Sequence, residues 1–256
     1  MKINILTLLL LMSFLQTSCK NNAQKTERVV DIPKNEQSKT YEPVNLIIYE
    51  IYDSVYSLCS KKFANLIKHP KEDLFLEIIR ELNYADRYSE SLLYNLVAAN
   101  KLDIDEAKRG VAYCLTQSLS NPYIGKNSKE IALSYLKRGG FSTTFKRGKQ
   151  IIERFESSST DKAEFIIPAV TSKSTDIQRL KVGCLKGVAD DYNKLRKLML
   201  THETYVFLLY YSYIMADRYN YLQAKRDVIT IIKRFYREYN LGPIDKDTQY
   251  FCSYFD

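Results

Sequence analysis

The feature that most constrains this chain is a helical spacing of apolar residues, which runs from Pro43 almost to the C-terminus. In its first stretch, Ile47, Ile51, Val55 and Leu58 recur at intervals of three and four positions, as they do on one face of a helix. Only 8 Gly and 6 Pro occur among 256 residues, too few for an all-β protein with many tight turns. No segment alternates apolar and polar residues as a strand does. The sequence therefore predicts an all-α fold, either a helical-hairpin array or an irregular α-solenoid-like bundle of about ten helices.

Prolines, glycines and polar caps mark the ends of the predicted helices. Pro43 suits a first helical turn, and Pro70 ends that helix. Further helices are predicted over residues 72–86, 90–100, 104–118, 128–138, 144–157, 161–171, 176–199, 203–217 and 221–239. Four starts carry capping-box pairs, which are Asp103/Glu106, Asn127/Glu130, Thr175/Gln178 and Asn220/Gln223.

The N-terminus has the pattern of an export signal. A positive start at Lys2 precedes an apolar run over residues 5–15, which is shorter than the roughly 20 residues that span a bilayer. Small residues then precede Cys19, so the segment resembles the lipobox of bacterial lipoproteins, although Gln16 stands where that family usually has Leu. The resemblance implies that residues 1–18 are removed and that Cys19 becomes the acylated N-terminus. An ordinary secretory signal with a chance Cys is the alternative.

The predicted export signal also sets the domain organisation. Residues 19–42 are polar and show little periodicity, which predicts a lipidated flexible tether. Residues 43–256 form the all-helical domain. The block Lys20-Asn21-Asn22 carries no acidic sorting signal, which favours a lipid-anchored, periplasm-facing position in the bacterial cell envelope. Removing residues 1–18 takes away one Lys and no acid, which leaves 37 basic and 30 acidic residues. This charge weakly favours an acidic partner or an anionic membrane surface, and a generally Lys-rich solvated surface is the preferred alternative.

Two segments resemble each other after a shift of 117 positions. Residues 92–111 read LLYNLVAANKLDIDEAKRGV and residues 209–228 read LYYSYIMADRYNYLQAKRDV. Each reads as two helices around a polar turn, and together they resemble helical-hairpin repeats of the tetratricopeptide type. The Trp-Leu-Gly-Tyr pattern of that family and its 34-residue period are missing. The resemblance implies a grooved surface that holds a protein or peptide.

The chain is rich in tyrosine, with 21 Tyr and no Trp. Tyrosine is favoured at recognition surfaces because its ring is apolar and its hydroxyl stays hydrated. The predicted partner-binding aromatic residues are Tyr94, Tyr211, Tyr213, Tyr219 and Tyr221. The alternative is that these rings line the core.

Signals for catalysis are weak. His69 and His202 are the only histidines, and neither lies in an HExxH motif. The sequence therefore predicts no metal, no cofactor and no catalytic residue. Glu153 with Glu156, and His202 with Glu203, are the local pairs that an envelope-polymer-acting enzyme would use. That enzyme, or a small-ligand-binding helical lipoprotein, is the alternative function.

The four remaining cysteines, Cys59, Cys114, Cys184 and Cys252, are 55, 70 and 68 residues apart, which is unlike clustered metal ligands. In an exported chain they could form two disulfides. Three of them fall on predicted helices, and the interpretation as small buried hydrophobic residues is slightly preferred.

A basic segment between two predicted helices is the candidate anion-binding site. It contains glycines, hydroxyl groups and the five cations Lys137, Arg138, Lys146, Arg147 and Lys149. A phosphate or carboxylate could bind at the helix start that follows. The segment follows no strand and lacks the P-loop pattern, and nucleic-acid binding conflicts with the export signal. The alternative is a solvated basic loop.

Taken together, these patterns predict a lipid-anchored, non-catalytic protein-interaction module of the bacterial envelope. One version is a scaffold for an envelope complex. The other is an immunity-type protein that neutralises an incoming toxin.

Overall fold

The computed structural model describes residues 46–84, 88–116, 127–140, 148–157, 167–171, 175–200 and 204–256, with side chains from residue 54 onward. Eleven α-helices lie within these ranges. They are α1 (Leu46–Lys68), α2 (Glu72–Tyr84), α3 (Leu92–Lys101), α4 (Asp105–Thr116), α5 (Ser128–Arg138), α6 (Gly148–Ser157), α7 (Asp176–Leu185), α8 (Ala189–Leu200), α9 (Tyr205–Asp217), α10 (Leu222–Glu238) and α11 (Lys246–Ser253). A 3₁₀ turn, Tyr88–Ser91, leads into α3.

The predicted all-α class is confirmed, since the described ranges contain helices and no strand. Helices that are neighbours in sequence pack against each other, as α1 with α2, α3 with α4 and α9 with α10 do. These residues fall within one compact unit, Pro43–Asp256. Within the part of the chain that is described, no helix is long and apolar enough to cross a membrane. The predicted signal peptide 1–18, Cys19 and the tether 19–42 lie outside the described residues.

Helix α9 is the centre of the packing. Every residue from Tyr205 to Asp217 is buried, so the helix has no solvent-facing side. Helices α3, α7, α8 and α10 surround it, together with the 3₁₀ turn. A helix that is apolar all round is stable only when other elements enclose it. The aromatic residues on several faces of α9 therefore serve the core.

The predicted helix 176–199 is wrong in one respect, because it divides into α7 and α8. Gly187 has a φ of +80°, the left-handed conformation that ends helices. The N–H of Val188 donates to the carbonyl of Gly183 (2.9 Å) and closes the end of α7. The ring of Tyr219 lies where a Cβ on residue 187 would be, 2.5 Å from its nearest atom. Glycine is thus required both by the backbone and by the packing.

Two further differences concern a predicted helix that is not observed in its described part and an observed helix that was not predicted. In the predicted helix 161–171, residues 167–171 are not helical, and residues 161–166 lie outside the described ranges. Helix α11 was not predicted. Its cap is Asp245, whose carboxylate accepts from the N–H of Thr248 at 2.8 Å.

One of the four predicted capping boxes is confirmed. Thr175 accepts from the N–H of Gln178, and the Gln178 side chain accepts from the N–H of Thr175. Asn127 is the N-cap of α5 but makes no side-chain cap bond. Asp103 and Asn220 are not caps, because they have φ values of 56° and 53° and lie within the turns before α4 and α10.

These two turns have the same geometry. The N–H of Ile104 donates to the carbonyl of Ala98 at 3.1 Å, and the N–H of Tyr221 donates to that of Met215 at 2.9 Å. Each donor and each acceptor is displaced by the 117 positions of the sequence alignment. The hairpins α3–α4 and α9–α10 therefore share a turn as well as a sequence pattern.

Candidate functional site

The structure places three of the five predicted anion-binding cations in ion pairs. Lys137 lies 2.5 Å from Glu156, and Arg138 lies 2.6 Å from Asp247. Lys149 is 3.8 Å from Glu153 on the next turn of α6. These carboxylates already pair with the three cations that a bound anion would contact. The other two cations, Lys146 and Arg147, lie outside the described residues.

Three of the five predicted partner-binding tyrosines are inside the core. Tyr94 and Tyr213 are fully buried, and Tyr211 is 6% exposed. The phenol of Tyr213 bonds with Ser128 at 2.7 Å, and that of Tyr211 donates to Glu90 at 2.9 Å. A partner cannot touch these rings while the helices are packed, so the expectation of a recognition role for them is corrected.

The other two tyrosines are half-buried in the turn region of α9–α10. Tyr219 donates to the carbonyl of Leu185 at 2.6 Å, which ties this turn to the end of α7. Tyr221 exchanges hydrogen bonds with the amide of Asn193 on α8, at 3.1 and 3.2 Å. Both phenols are thus engaged within the chain and position the turn.

The other candidates for chemistry are also placed by the structure. Cys59, Cys114, Cys184 and Cys252 are all buried thiols and form no disulfides in the described chain. Burial raises the pKa of Cys114 and Cys184 to about 12 and that of Cys252 to about 11. They are therefore poor nucleophiles at neutral pH, because the thiolate is the reactive form.

The predicted acid pair Glu153 and Glu156 is exposed on α6. His69 is exposed just after α1, whereas His202 and Glu203 lie outside the described ranges. Among the described residues, no group of three His, Cys, Asp or Glu side chains is placed to hold a metal ion.

A charged surface lies along the seam between α8 and α10. Here Asp227 of α10 is 2% exposed, and its Oδ2 lies 2.6 Å from Nε of Arg196 on α8. Tyr192 donates to the same oxygen at 2.8 Å, and Gln223 donates to the other at 3.1 Å. Further along, Arg234 donates to the carbonyl of Leu200 at 3.3 Å. These bonds fix the two helices side by side.

Burial of the seam has electrostatic consequences. The hydrogen bond to Asp227 raises the pKa of Arg196. Burial, together with the same carboxylate, raises the pKa of Tyr192 far above its ordinary value. The charge of Asp227 is thus paired with Arg196 inside the seam and has almost no contact with solvent.

The solvent-exposed side of the two helices that form this seam carries mainly cations. The two segments 192–200 and 222–237 contain one acid, Asp227, and eight cations. Five of these cations are exposed, and we call them the basic face: Lys194, Lys197, Arg226, Lys233 and Arg237. On α10 they follow the spacing i, i+7 and i+11, with Thr230 between them, so they form one stripe. Arg226, Lys233 and Arg237 make no ion pair with another described residue.

The basic face was not singled out from the sequence. Its signal was present in α10 as cations at helical spacing with no exposed acid until Glu238. The segment 137–149 is more conspicuous in the sequence because it concentrates five cations, but nearby acids pair with the three of them that are described. The face can attract and orient an anionic partner surface, since clustered charge of one sign steers association.

Comparison with known proteins finds no relative of this chain. No protein-family model matches the chain, no curated protein matches its sequence, and no solved structure matches its fold.

Proposed function

We propose that this chain is a non-catalytic protein-interaction module of the bacterial envelope, held at the membrane by a lipid on Cys19. The observation that carries the proposal is the basic face, a set of exposed cations fixed on two helices. Helices α8 and α10 are held together by the Arg196–Asp227 pair, whose carboxylate is buried. The charged side chains therefore project from a rigid base, which reduces the entropy lost on binding.

The basic face suits a protein partner better than a bilayer. Helices that lie in a membrane interface combine cations with large apolar or aromatic side chains. The stripe on α10 offers Arg226, Thr230, Lys233 and Arg237, with Leu222 as its one exposed apolar side chain. An acidic protein surface therefore provides the better complement.

The proposed location depends on the sequence of the N-terminus. The short apolar run over residues 5–15, followed by small residues and Cys19, resembles the signal of bacterial lipoproteins. A tether over residues 19–42 would let the helical domain search for its partner near the membrane. A lipid-anchored scaffold and an immunity-type protein both fit this arrangement, and the identity of the partner separates them.

The test is capture of a partner by the full chain in non-ionic detergent, from the envelope and secreted fractions of its own source. The same capture is made with R226E/K233E/R237E, which reverses the α10 stripe. A control variant, K61E/R80E, reverses two exposed cations on α1 and α2. We expect one protein at near-stoichiometric amount with the native chain and the control, and its loss with the stripe variant.

Equal capture by all three proteins would contradict the proposal, as would capture of nothing at low salt. The anchor is tested separately by Cys19→Ser, which should release the protein from the membrane fraction. Retention of that variant on membranes would contradict lipidation at Cys19 and leave the role of the basic face standing.

A further inference from the structure

The two hairpins carry the same three residues at the start of their second helix. Ala107-Lys108-Arg109 of α4 corresponds to Ala224-Lys225-Arg226 of α10 at the 117-residue shift. The alanines are fully buried in both cases. Because the preceding turns also have the same hydrogen bonds, the two Lys-Arg pairs start from equivalent backbone positions.

In the first hairpin, the chain neutralises this Lys-Arg pair itself. Nζ of Lys108 lies 2.6 Å from Asp103 and 2.8 Å from Asp105. Burial acts to lower the pKa of Lys108, but its hydrogen bonds to the two carboxylates outweigh burial and raise it. Arg109 pairs with Glu106 at 2.5 Å. Three acids, one in the loop before α4 and two in its first helical turn, thus pair with the two cations.

Helix α5 completes the arrangement around α4. Nη1 of Arg109 donates to the carbonyl of Gly139, just after the last residue of α5, at 3.1 Å. A Cβ on Gly139 would lie 3.1 Å from Cβ of Lys108, so the helix end comes close to this pair. A helix C-terminus carries partial negative charge and favours a cation there. As a result Lys108 and Arg109 are 6% and 8% exposed.

The second hairpin keeps the cations and lacks the acids. The positions equivalent to Asp103, Asp105 and Glu106 are Asn220, Leu222 and Gln223. Lys225 is half-buried and Arg226 is exposed. Neither has a carboxylate partner anywhere in the described residues. Arg226 is exposed, so no described helix covers it as α5 covers Arg109.

We propose that the first turn of α10 docks an acidic protein segment, which supplies the carboxylates that Asp103, Asp105 and Glu106 supply to α4. The segment that fits best combines a helix end with nearby acids, because α4 receives a backbone carbonyl from the C-terminal end of α5 and carboxylates from the adjoining turn. This inference rests on the proposed function and assigns its contact to Lys225 and Arg226. The exposed Leu222, 59% accessible, gives the segment an apolar contact beside the charges.

The test returns the acids to the second hairpin with the double variant N220D/L222D. The full chain in non-ionic detergent is titrated with a fluorescently labelled peptide of glutamate and alanine, and anisotropy is measured at low salt. Carboxylates supplied within the chain should compete for Lys225 and Arg226. We expect the variant to bind the peptide roughly fivefold more weakly, in line with two exposed charge pairs.

The variant should fold, because Asp tolerates the left-handed position and favours the first turn of a helix. Its urea-unfolding midpoint, equal to or above that of the native chain, verifies this. The matched control N65D/N83D adds two acids at exposed positions of α1 and α2 and should bind the peptide as the native chain does.

Equal peptide binding by native chain and N220D/L222D would overturn the inference, and so would an equal loss in the control. Binding to phosphatidylglycerol-coated beads that N220D/L222D weakens, with peptide binding unchanged, would also overturn it and assign the turn to a membrane. Partner capture that R226E/K233E/R237E abolishes but N220D/L222D leaves intact would overturn the inference alone, with the proposed function still supported.

Discussion

The hairpins α3–α4 and α9–α10 share a turn but place different polar groups between their helices. In the first, Asn95 faces Gly110, and its amide donates to the hydroxyl of Ser91 at 2.6 Å. In the second, the equivalent residues are Ser212 and Asp227, and they are bridged by the phenol of Tyr192, which lies 2.8 Å from each. The comparison shows that the turn and the apolar positions determine the backbone geometry that the two hairpins share. The polar residues between the helices differ, and they differ together as a set whose members fit one another.

A second equivalent pair connects both hairpins to α5. Asn100 donates to the phenol of Tyr135, near the C-terminal end of α5, at 2.7 Å. Its counterpart Asp217 accepts from the N–H of Asn127 at 2.8 Å and from the hydroxyl of Ser128 at 2.7 Å, at the other end. One position thus carries a neutral amide in one hairpin and a carboxylate in the other. The carboxylate suits the helix N-terminus, where the dipole favours negative charge.

The largest expected effect comes from removing the carboxylate of the second polar centre. Asp227→Ala leaves Tyr192, Arg196 and Gln223 without their shared acceptor. Breaking a buried ion pair is strongly destabilising, but Arg196 is about one-third exposed and regains water. We expect a loss of about 3 kcal/mol in the free energy of unfolding, measured by urea titration.

Ser212→Ala is the matched control for that prediction, because it removes a neutral hydroxyl from the same cluster. It should lose about 1 kcal/mol. If Asp227→Ala loses no more than Ser212→Ala, the carboxylate is not the organising group of the centre.

The glycine of the first hairpin tests whether the polar sets are matched. A Cβ on residue 110 would lie 1.7 Å from Oδ1 of Asn95. Gly→Ala within a helix ordinarily stabilises by about 1 kcal/mol. Here we expect Gly110→Ala to destabilise by about 2 kcal/mol, because the core has no room for the methyl group.

The companion variant Asn95→Ser gives the first hairpin the side chain of Ser212. Combined with Gly110→Ala it should destabilise by less than the two single changes added together, as measured by a double-mutant cycle in urea. Strict additivity would show that the contact between Asn95 and Gly110 does not limit the site.

The presence of Asp217 where the first hairpin has Asn100 predicts that this position makes stability depend on pH in the second hairpin only. Burial raises the pKa of Asp217 above 3.8, the ordinary value, against the hydrogen bonds that favour its charged form. Just above pH 3.8 the folded chain therefore binds more protons than the unfolded chain, and this group's contribution to stability falls as the pH rises.

We expect Asp217→Asn to remove that dependence, with a change in stability at neutral pH below about 1 kcal/mol. The measurement is the urea midpoint of native chain and variant across the acidic range, and the difference between them cancels the other carboxyl groups. A difference that stays constant with pH would contradict the raised pKa.

Local patterns made the helices and the Thr175 cap predictable, and long-range packing decided the rest. Thr175 and Gln178 form a capping box because both partners lie in one helical turn. Asp103 and Asn220 have the same residue types as caps, but Asp and Asn also adopt the left-handed conformation, and the turn uses that property. The break at Gly187 was missed because a single glycine interrupts helical periodicity very little, whereas the ring of Tyr219 that excludes a side chain comes from the turn between α9 and α10.

The candidate site shows the same division. The Lys-Arg pairs of α4 and α10 are alike in sequence, and so is their spacing from the turn. The acids that neutralise the pair of α4 are local and stand in the sequence, whereas the burial of that pair depends on α5, whose position over α4 is set by long-range packing. The tyrosines of α9 were ambiguous for the same reason, because burial of a helix on all sides is decided by its neighbours.

The smallest effect is expected from Asp103→Asn. This substitution makes the first turn resemble the second, which has Asn220 at the equivalent position. Asp103 is 86% exposed, and Lys108 retains Asp105 at 2.8 Å. Because the carboxylate of Asp103 is in water and Asp105 remains beside Lys108, this pair contributes little, and we expect a loss of about 0.5 kcal/mol or less at low salt and none at high salt. Urea unfolding at the two salt concentrations measures it.

A salt-independent loss of about 1 kcal/mol or more would show that Asp103 acts through the backbone turn instead of its charge. The double change D103N/D105L then separates the two hairpins. It leaves Lys108 with the neighbours of Lys225, but Lys108 is 6% exposed whereas Lys225 is half-buried. The double change should therefore destabilise α4 by more than the single change does, because a cation without its acids is tolerated only where water or a partner can reach it.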